Sequence, residues 1–242
     1  MGGDEAREPS LETLRAARMT AEQAFALPLH AYWFGRVPYA YSLHAMRDYS
    51  EQRDEHAPDQ FWLLEHDPVF TLGQAGKAEH VLAAGDIEVI QVERGGQVTY
   101  HGPGQLVLYP LLDLRRLKLG VRALVDALEH ATVACLQSFG IQAQADPKAP
   151  GVYVEGRKIM ALGLRVRRGM SFHGMALNVN MDLSPYQRIN PCGYQGLQIT
   201  DIAREGGPAE LQVVATHLVS SLANALGLPA PPLAQSSLPA PA

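Results

Sequence analysis

The chain has 242 residues with 47% apolar and 19% charged side chains and a net charge of -5, the composition of an ordinary globular protein with chain enough for a sizeable core. It excludes a disordered or fibrous protein and lacks the overall basic excess of a nucleic-acid binder. No stretch approaches the ~18 consecutive apolar residues of a membrane span. The first six residues carry acids where a secretory signal needs basic charge, and two cysteines are too few for a disulfide framework, so a cytoplasmic protein is expected.

In chain order, residues 1–28 read as an N-terminal extension. After Pro38, Tyr39, Leu43, Met46 and Ser50 fall on one helical face and predict a helix to about Arg53. Residues 61–65 and 69–73 read as short buried strands around Asp67-Pro68. The apolar run 105–111, bounded by a Gly-Pro-Gly turn, predicts a central strand. Val121, Leu124, Val125, Leu128, Thr132, Cys135, Leu136 and Phe139 repeat at steps of three and four and predict a helix closed by Gly140. Strands are expected at 152–154, 158–166 and 173–181, the last half-buried because Met175, Leu177, Val179 and Met181 alternate with Ala176, Asn178, Asn180 and Asp182. Leu211, Val214, Leu218, Leu222 and Leu226 predict a final helix. The uncharged Pro/Ala-rich stretch 229–242 predicts a disordered tail. Strand pairs with short links and a few helices point to an α+β domain with a mixed sheet and not to a doubly wound one.

The two cysteines occupy opposite environments. Cys135 lies on the helical apolar stripe and reads as a packing residue. Cys192 stands in Asn190-Pro191-Cys192-Gly193-Tyr194-Gln195-Gly196, where glycines would let a substrate and backbone N–H groups approach a thiol; the plainer reading is an incidental loop cysteine. A nucleophilic thiol needs help toward its thiolate, and one nearby cation supplies enough. Lys158 opens an apolar strand, where partial desolvation lowers an amine's pKa and lets it accept protons. Its alternative is a strand-end lysine reaching solvent. Residues 94–105 form a glycine-dense loop fit to wrap a ligand, though they match neither the dinucleotide fingerprint nor the P-loop. His101 and His173 both border glycine, and either could serve Cys192 as a base or be a structural hydrogen-bonder. No metal-ligand spacing stands out.

Four segments in order resemble one family: Arg94-Gly-Gly-Gln-Val-Thr-Tyr-His-Gly-Pro-Gly-Gln105, Gly156-Arg-Lys-Ile-Met-Ala-Leu-Gly-Leu164, Ser171-Phe-His-Gly-Met-Ala-Leu-Asn-Val-Asn180 and Arg188-Ile-Asn-Pro-Cys-Gly-Tyr-Gln-Gly196, with weaker matches at 65–73 and 76–80. They are similar to the lipoyl(octanoyl) transferases of protein lipoylation. The resemblance implies the fold of the biotin and lipoate protein ligase catalytic domain, a mixed β-sheet flanked by helices in a single domain over 29–228. It also implies a reaction in which octanoate leaves the phosphopantetheine thiol of acyl carrier protein, forms a thioester with Cys192, and passes to a lysine of a lipoyl domain. Acceptors would be the lipoyl domains of 2-oxoacid dehydrogenase complexes and the glycine cleavage H protein. Cys192 would be the nucleophile and Lys158 the residue that lowers its pKa and shuttles protons. Substrate-binding positions would be Arg94, Gly95, Gly96, Gln97, Val98, Thr99, Tyr100 and His101, then Ala161, Leu162 and Gly163, then Gly174, Met175 and Ala176. No metal or protein-bound cofactor is implied, since the donor carries its own phosphopantetheine. Arg165, Arg167 and Arg168 would meet an acidic carrier protein or form a solvated basic face.

Three rivals follow from the same residues. An ATP-dependent lipoate ligase needs no nucleophilic cysteine, and the ligases usually carry a His-Asp segment where this chain has His101-Gly-Pro-Gly-Gln. A Cys-His hydrolase would use water as acceptor, and a carrier-binding module would not depend on Cys192.

Overall fold

The computed structural model describes residues 27–193 and 196–238. Eleven strands and three longer helices follow in order β1 (Leu29–Arg36), α1 (Tyr39–Gln52), β2 (Asp59–Glu65), β3 (Val69–Leu72), β4 (Glu88–Gln91), β5 (Val98–His101), β6 (Gln105–Leu111), α2 (Val121–Ser138), β7 (Gln144–Ala145), β8 (Val152–Val154), β9 (Arg157–Arg167), β10 (Met170–Asn178), α3 (Leu211–Ala225) and β11 (Leu233–Gln235). Eight strands form one mixed sheet in the order β11-β1-β2-β6-β10-β9-β8-β7, and β4-β3-β5 form a second. The expected strands 61–65 and 69–73 therefore exist but part company at Asp67-Pro68, one entering each sheet.

One face of the large sheet buries Leu106, Leu108, Met175 and Leu177 against the apolar stripes of α2 and α3, including Cys135. The other face buries Trp62, Val107, Tyr109 and Ala176 beneath α1, whose Leu43 and Met46 point inward. Coverage on both faces corrects the expectation of a half-buried third strand: every residue from Met170 to Asn178 is buried. Asn178 tolerates this because its amide accepts from Gln105 Nε2 (3.0 Å) and donates to Thr200 O (2.9 Å), so its polar atoms are not left unpaired.

Central β6 carries Pro110, which has no N–H for the ladder and is ordinarily kept out of such strands. The β10 partner is irregular at that point. Its pairing with β6 runs from Asn178 to Met175, and His173 takes φ +56°. Ser171 resumes contact by donating Oγ–H to Pro110 O (2.5 Å). A side chain at Gly174 would collide with Leu108 O and the Pro110 ring, so proline, glycine and bulge are one feature.

The tail expectation also needs correction. Residues 233–235 pair in parallel with Ala31, Tyr32 and Trp33, Ser236 N–H donates to Trp33 O (3.0 Å), and Tyr41 Oη–H to Leu238 O (3.2 Å). Main-chain pairing to a free sheet edge needs no apolar run, which is why composition alone misread it. The predicted N-terminal extension falls almost wholly outside the described residues, as do residues 239–242.

Candidate active site

The glycine-dense loop is built to lie flat across the large sheet. Arg94 is buried, and its guanidinium turns inward, donating to Thr71 O (2.6 Å), Thr71 Oγ1 (2.9 Å), Gln97 O (2.8 Å) and Gly95 O (2.8 Å). These bonds knot the loop to β3. Gly95 N–H then donates to Leu164 O of β9 (3.0 Å). The crossing is possible only because Gly163 lacks a side chain: a Cβ there would stand 2.7 Å from Gly95 O and 3.2 Å from Arg94 Cδ.

Beneath the loop runs a largely apolar slot. Twelve of the fourteen sequence-predicted substrate positions line it: Arg94, Gly96, Gln97, Val98, Thr99 and His101 from the loop side, with Ala161, Leu162, Gly163, Gly174, Met175 and Ala176 from β9 and β10. Gly95 is taken up by the crossing to Leu164. Tyr100 points away, packing with Phe70 and Tyr186 in a separate small core, because neighbouring residues of a strand face opposite ways. The substrate positions expected from the sequence did not include Tyr39, Val107, Tyr109 or His173, the last considered only as a base, and all four also line the slot. Tyr39 comes from the start of α1, and only the packing of that helix over the sheet brings it here.

Lys158 is 4% exposed, not a lysine reaching solvent. Its main chain is clamped: N–H donates to Gln198 O (2.8 Å), and its carbonyl accepts from Thr200 N–H (3.0 Å). Nζ donates to Pro150 O (3.0 Å) and lies 5.2 Å from the Tyr153 ring centroid. The stem runs past Gly151 (φ +136°), where a Cβ would stand 2.7 Å from Lys158 Cε. A small cavity lined by Lys158, Thr99, Asn178, Tyr186 and Pro191 joins the lysine to the residue preceding Cys192. Cys192 itself sits in the single turn Pro191–Gly193, which packs on β5. The topology thus brings together the lysine, the cysteine turn and the loop strand, three segments far apart in sequence.

The two histidines proposed as bases are placed differently. His101 Nδ1–H donates to Gln105 Oε1 (2.8 Å), and its Nε2 accepts from the Thr71 hydroxyl (3.3 Å). Both nitrogens are engaged, and burial pushes the pKa down to about 3. Neighbouring His66 donates Nδ1–H to Val37 O (2.7 Å), accepts from Tyr109 Oη–H (2.8 Å), and is lowered by burial to about 4. His173 is buried with its pKa lowered, again by burial first, and its Nε2 lies 3.9 Å from Glu93 Oε1.

Neutral buried histidines make stability depend on pH. The unfolded chain protonates each near 6.5, while the folded pKa values of His66 and His101 lie at about 4 and about 3. Their stabilisation is therefore complete above the unfolded pKa and declines as pH falls below it. Between pH 7 and pH 5 each site is expected to remove about 2 kcal/mol. Urea unfolding at the two values measures the total, to which His173 also contributes, and His66→Gln should reduce the drop by about 2 kcal/mol. A flat profile would contradict the assignment.

The fold is shared with solved lipoate- and biotin-protein ligases. Lipoate-protein ligase A bound with ATP superposes with a TM-score of 0.71 over 87% of this chain and 90% of its own, at 14% identity. The biotin protein ligase of Aquifex aeolicus with biotin and ATP gives 0.52 over 81% and 70%, at 12% identity. The chain belongs to the lipoyl protein ligase A/B catalytic domain family, whose model matches residues 38–223. Among curated relatives, the octanoyltransferase of Shewanella amazonensis is 57% identical over 202 residues, 84% of this chain and 94% of that protein. The octanoyltransferase of Vibrio vulnificus YJ016 is 58% identical over 193 residues, 80% and 88% respectively.

Proposed function

We propose that the chain is an octanoyltransferase that takes octanoate from acyl carrier protein, holds it as a thioester on Cys192, and passes it to a lysine of a lipoyl domain. The observation that carries this reading is the buried Lys158 sharing a cavity with the residue before Cys192, at the end of an apolar slot. An eight-carbon chain suits such a slot, since each buried CH₂ contributes ~0.8 kcal/mol.

The chemistry balances with side chains alone. In the first step Cys192 thiolate attacks the donor carbonyl, a sulfur–carbon bond forms, and the pantetheine thiolate leaves and takes a proton. In the second the acceptor amine displaces Cys192, losing a proton as the amide forms. Lys158 in its ammonium form favours the attacking thiolate, and as an amine it accepts the proton of the incoming lysine. Arg165, Arg167 and Arg168 line a surface cleft with Arg47, Glu51, Glu93 and Phe172. That supports reception of an acidic carrier protein, although Arg167 also pairs with Glu51 (2.6 Å).

The rival is an ATP-dependent ligase, since lipoate ligases share this fold. The test is intact-mass analysis after mixing with octanoyl-acyl carrier protein and no nucleotide, then adding a lipoyl domain. An octanoyl increment on the enzyme that migrates to the lipoyl domain is expected. Transfer that requires free octanoate and ATP would overturn the reading.

A further inference from the structure

The imidazole of His80 stands against the Cys192 turn, and neither step above uses it. Residues 80–83 run beside 188–190 and hold the approach to that turn. Asn190 N–H donates to His80 O (2.8 Å), and Leu82 and Ala83 N–H both donate to Arg188 O (2.8 and 3.1 Å). Val81 bridges Ile189, and Arg188 Nε–H donates to Ala83 O (2.7 Å). None of these bonds involves the His80 side chain, so any residue at position 80 preserves the anchorage.

The ring has a separate relationship to the turn. Its Nε2 lies 3.6 Å from the point where a Cβ on Gly193 would stand, with Gln97 Cγ 3.5 Å away on the same point. Gly193, at φ +79°, directly follows Cys192. The opposite nitrogen, Nδ1, is buried without a hydrogen-bond partner among the described residues. Orphaned buried N–H groups are rarer than under-satisfied acceptors, which favours the tautomer with its lone pair on Nδ1 and its hydrogen on Nε2. The donor then faces the cysteine turn. Lys158 reaches the same turn from the Pro191 side.

We propose that His80 Nε2–H is a second support for the Cys192 sulfur, donating a hydrogen bond to it whenever it carries negative charge. This rests on Cys192 being the nucleophile. The charged sulfur occurs twice in the cycle, before it attacks the donor thioester and as it is displaced by the acceptor amine. His80 keeps its proton in both steps. A donor to a thiolate is a charge-assisted bond, stronger than one to the neutral thiol or thioester, so it favours the ionised state.

The test is alkylation of Cys192 by iodoacetamide in the full chain, followed by peptide mass spectrometry from pH 5.5 to pH 10, with no acyl donor present. In His80→Ala the rate at pH 6.5 is expected to fall about three- to tenfold and the profile to move to higher pH. His80→Gln, whose amide restores an N–H donor, should recover part of the loss. At pH 10, with the thiol ionised in every variant, His80→Ala should match or exceed the wild type. Identical profiles in all three proteins would overturn the proposal. So would a loss of the same size at pH 6.5 and pH 10, which would make the ring a packing element of the turn. Failure of the octanoyl reading would instead show as a missing acyl adduct on wild-type protein with the alkylation profile unaltered.

Discussion

Exchange of Cys192 for serine is expected to abolish the acyl adduct and lower octanoyl transfer by at least about 10⁴-fold, while Cys135→Ser leaves transfer near wild type. Thiol and hydroxyl differ most in ionisation. A thiol is partly ionised near neutral pH and needs only modest help, whereas a serine hydroxyl needs a base aligned on it throughout the attack. Cys135 marks the other extreme. It lies on α2 with Sγ 3.9 Å from Val214 O of α3, and burial pushes its pKa up to about 12. No ionised sulfur exists there at physiological pH, so its replacement should cost stability and not rate. Transfer from octanoyl-acyl carrier protein to a purified lipoyl domain, followed by mass, separates the two variants. More than about 1% residual rate in Cys192→Ser would mean that the acceptor lysine attacks the donor directly.

How much of this was legible in the sequence depended on whether side chains or main chain hold an element in place. β6 and α2 were readable because burial writes itself into residue type, as an unbroken apolar run or a stripe at steps of three and four. β4 and β11 were not, because edge strands held by backbone bonds have exposed, ordinary residues. The glycine loop announced itself by composition, but only the contact of Gly163 with Gly95 explains why a distant strand must also carry glycine. Lys158 illustrates a limit of another kind. A lysine at a strand start has two plausible fates, and the choice is made by Gly151 and residues 198–200 closing around it, none of which is adjacent in sequence. His80 and Tyr39 were invisible as site residues for the same reason: α1 and the 80–83 segment reach the site through topology.

Lys158→Ala is expected to lower kcat by about 10²- to 10⁴-fold, the range for loss of a positioned acid–base group, with KM for the lipoyl domain little changed. The fold should survive, since the main-chain clamp to Gln198 and Thr200 does not use the side chain. The more decisive variant is Lys158→Arg. A guanidinium keeps its charge and can favour the Cys192 thiolate, but it does not surrender a proton near neutral pH. The two half-reactions should then separate. Acylation of Cys192 needs the charge and should persist, slowed by the fit of a larger head where Gly151 leaves little room. Displacement by the acceptor amine needs a proton acceptor and should slow far more. Octanoyl-enzyme should therefore accumulate in Lys158→Arg and be visible by intact mass even with a lipoyl domain present, whereas Lys158→Ala should show slow formation and no build-up. Equal slowing of both half-reactions in Lys158→Arg would mean that Lys158 works through charge alone and that the acceptor's proton leaves by another route.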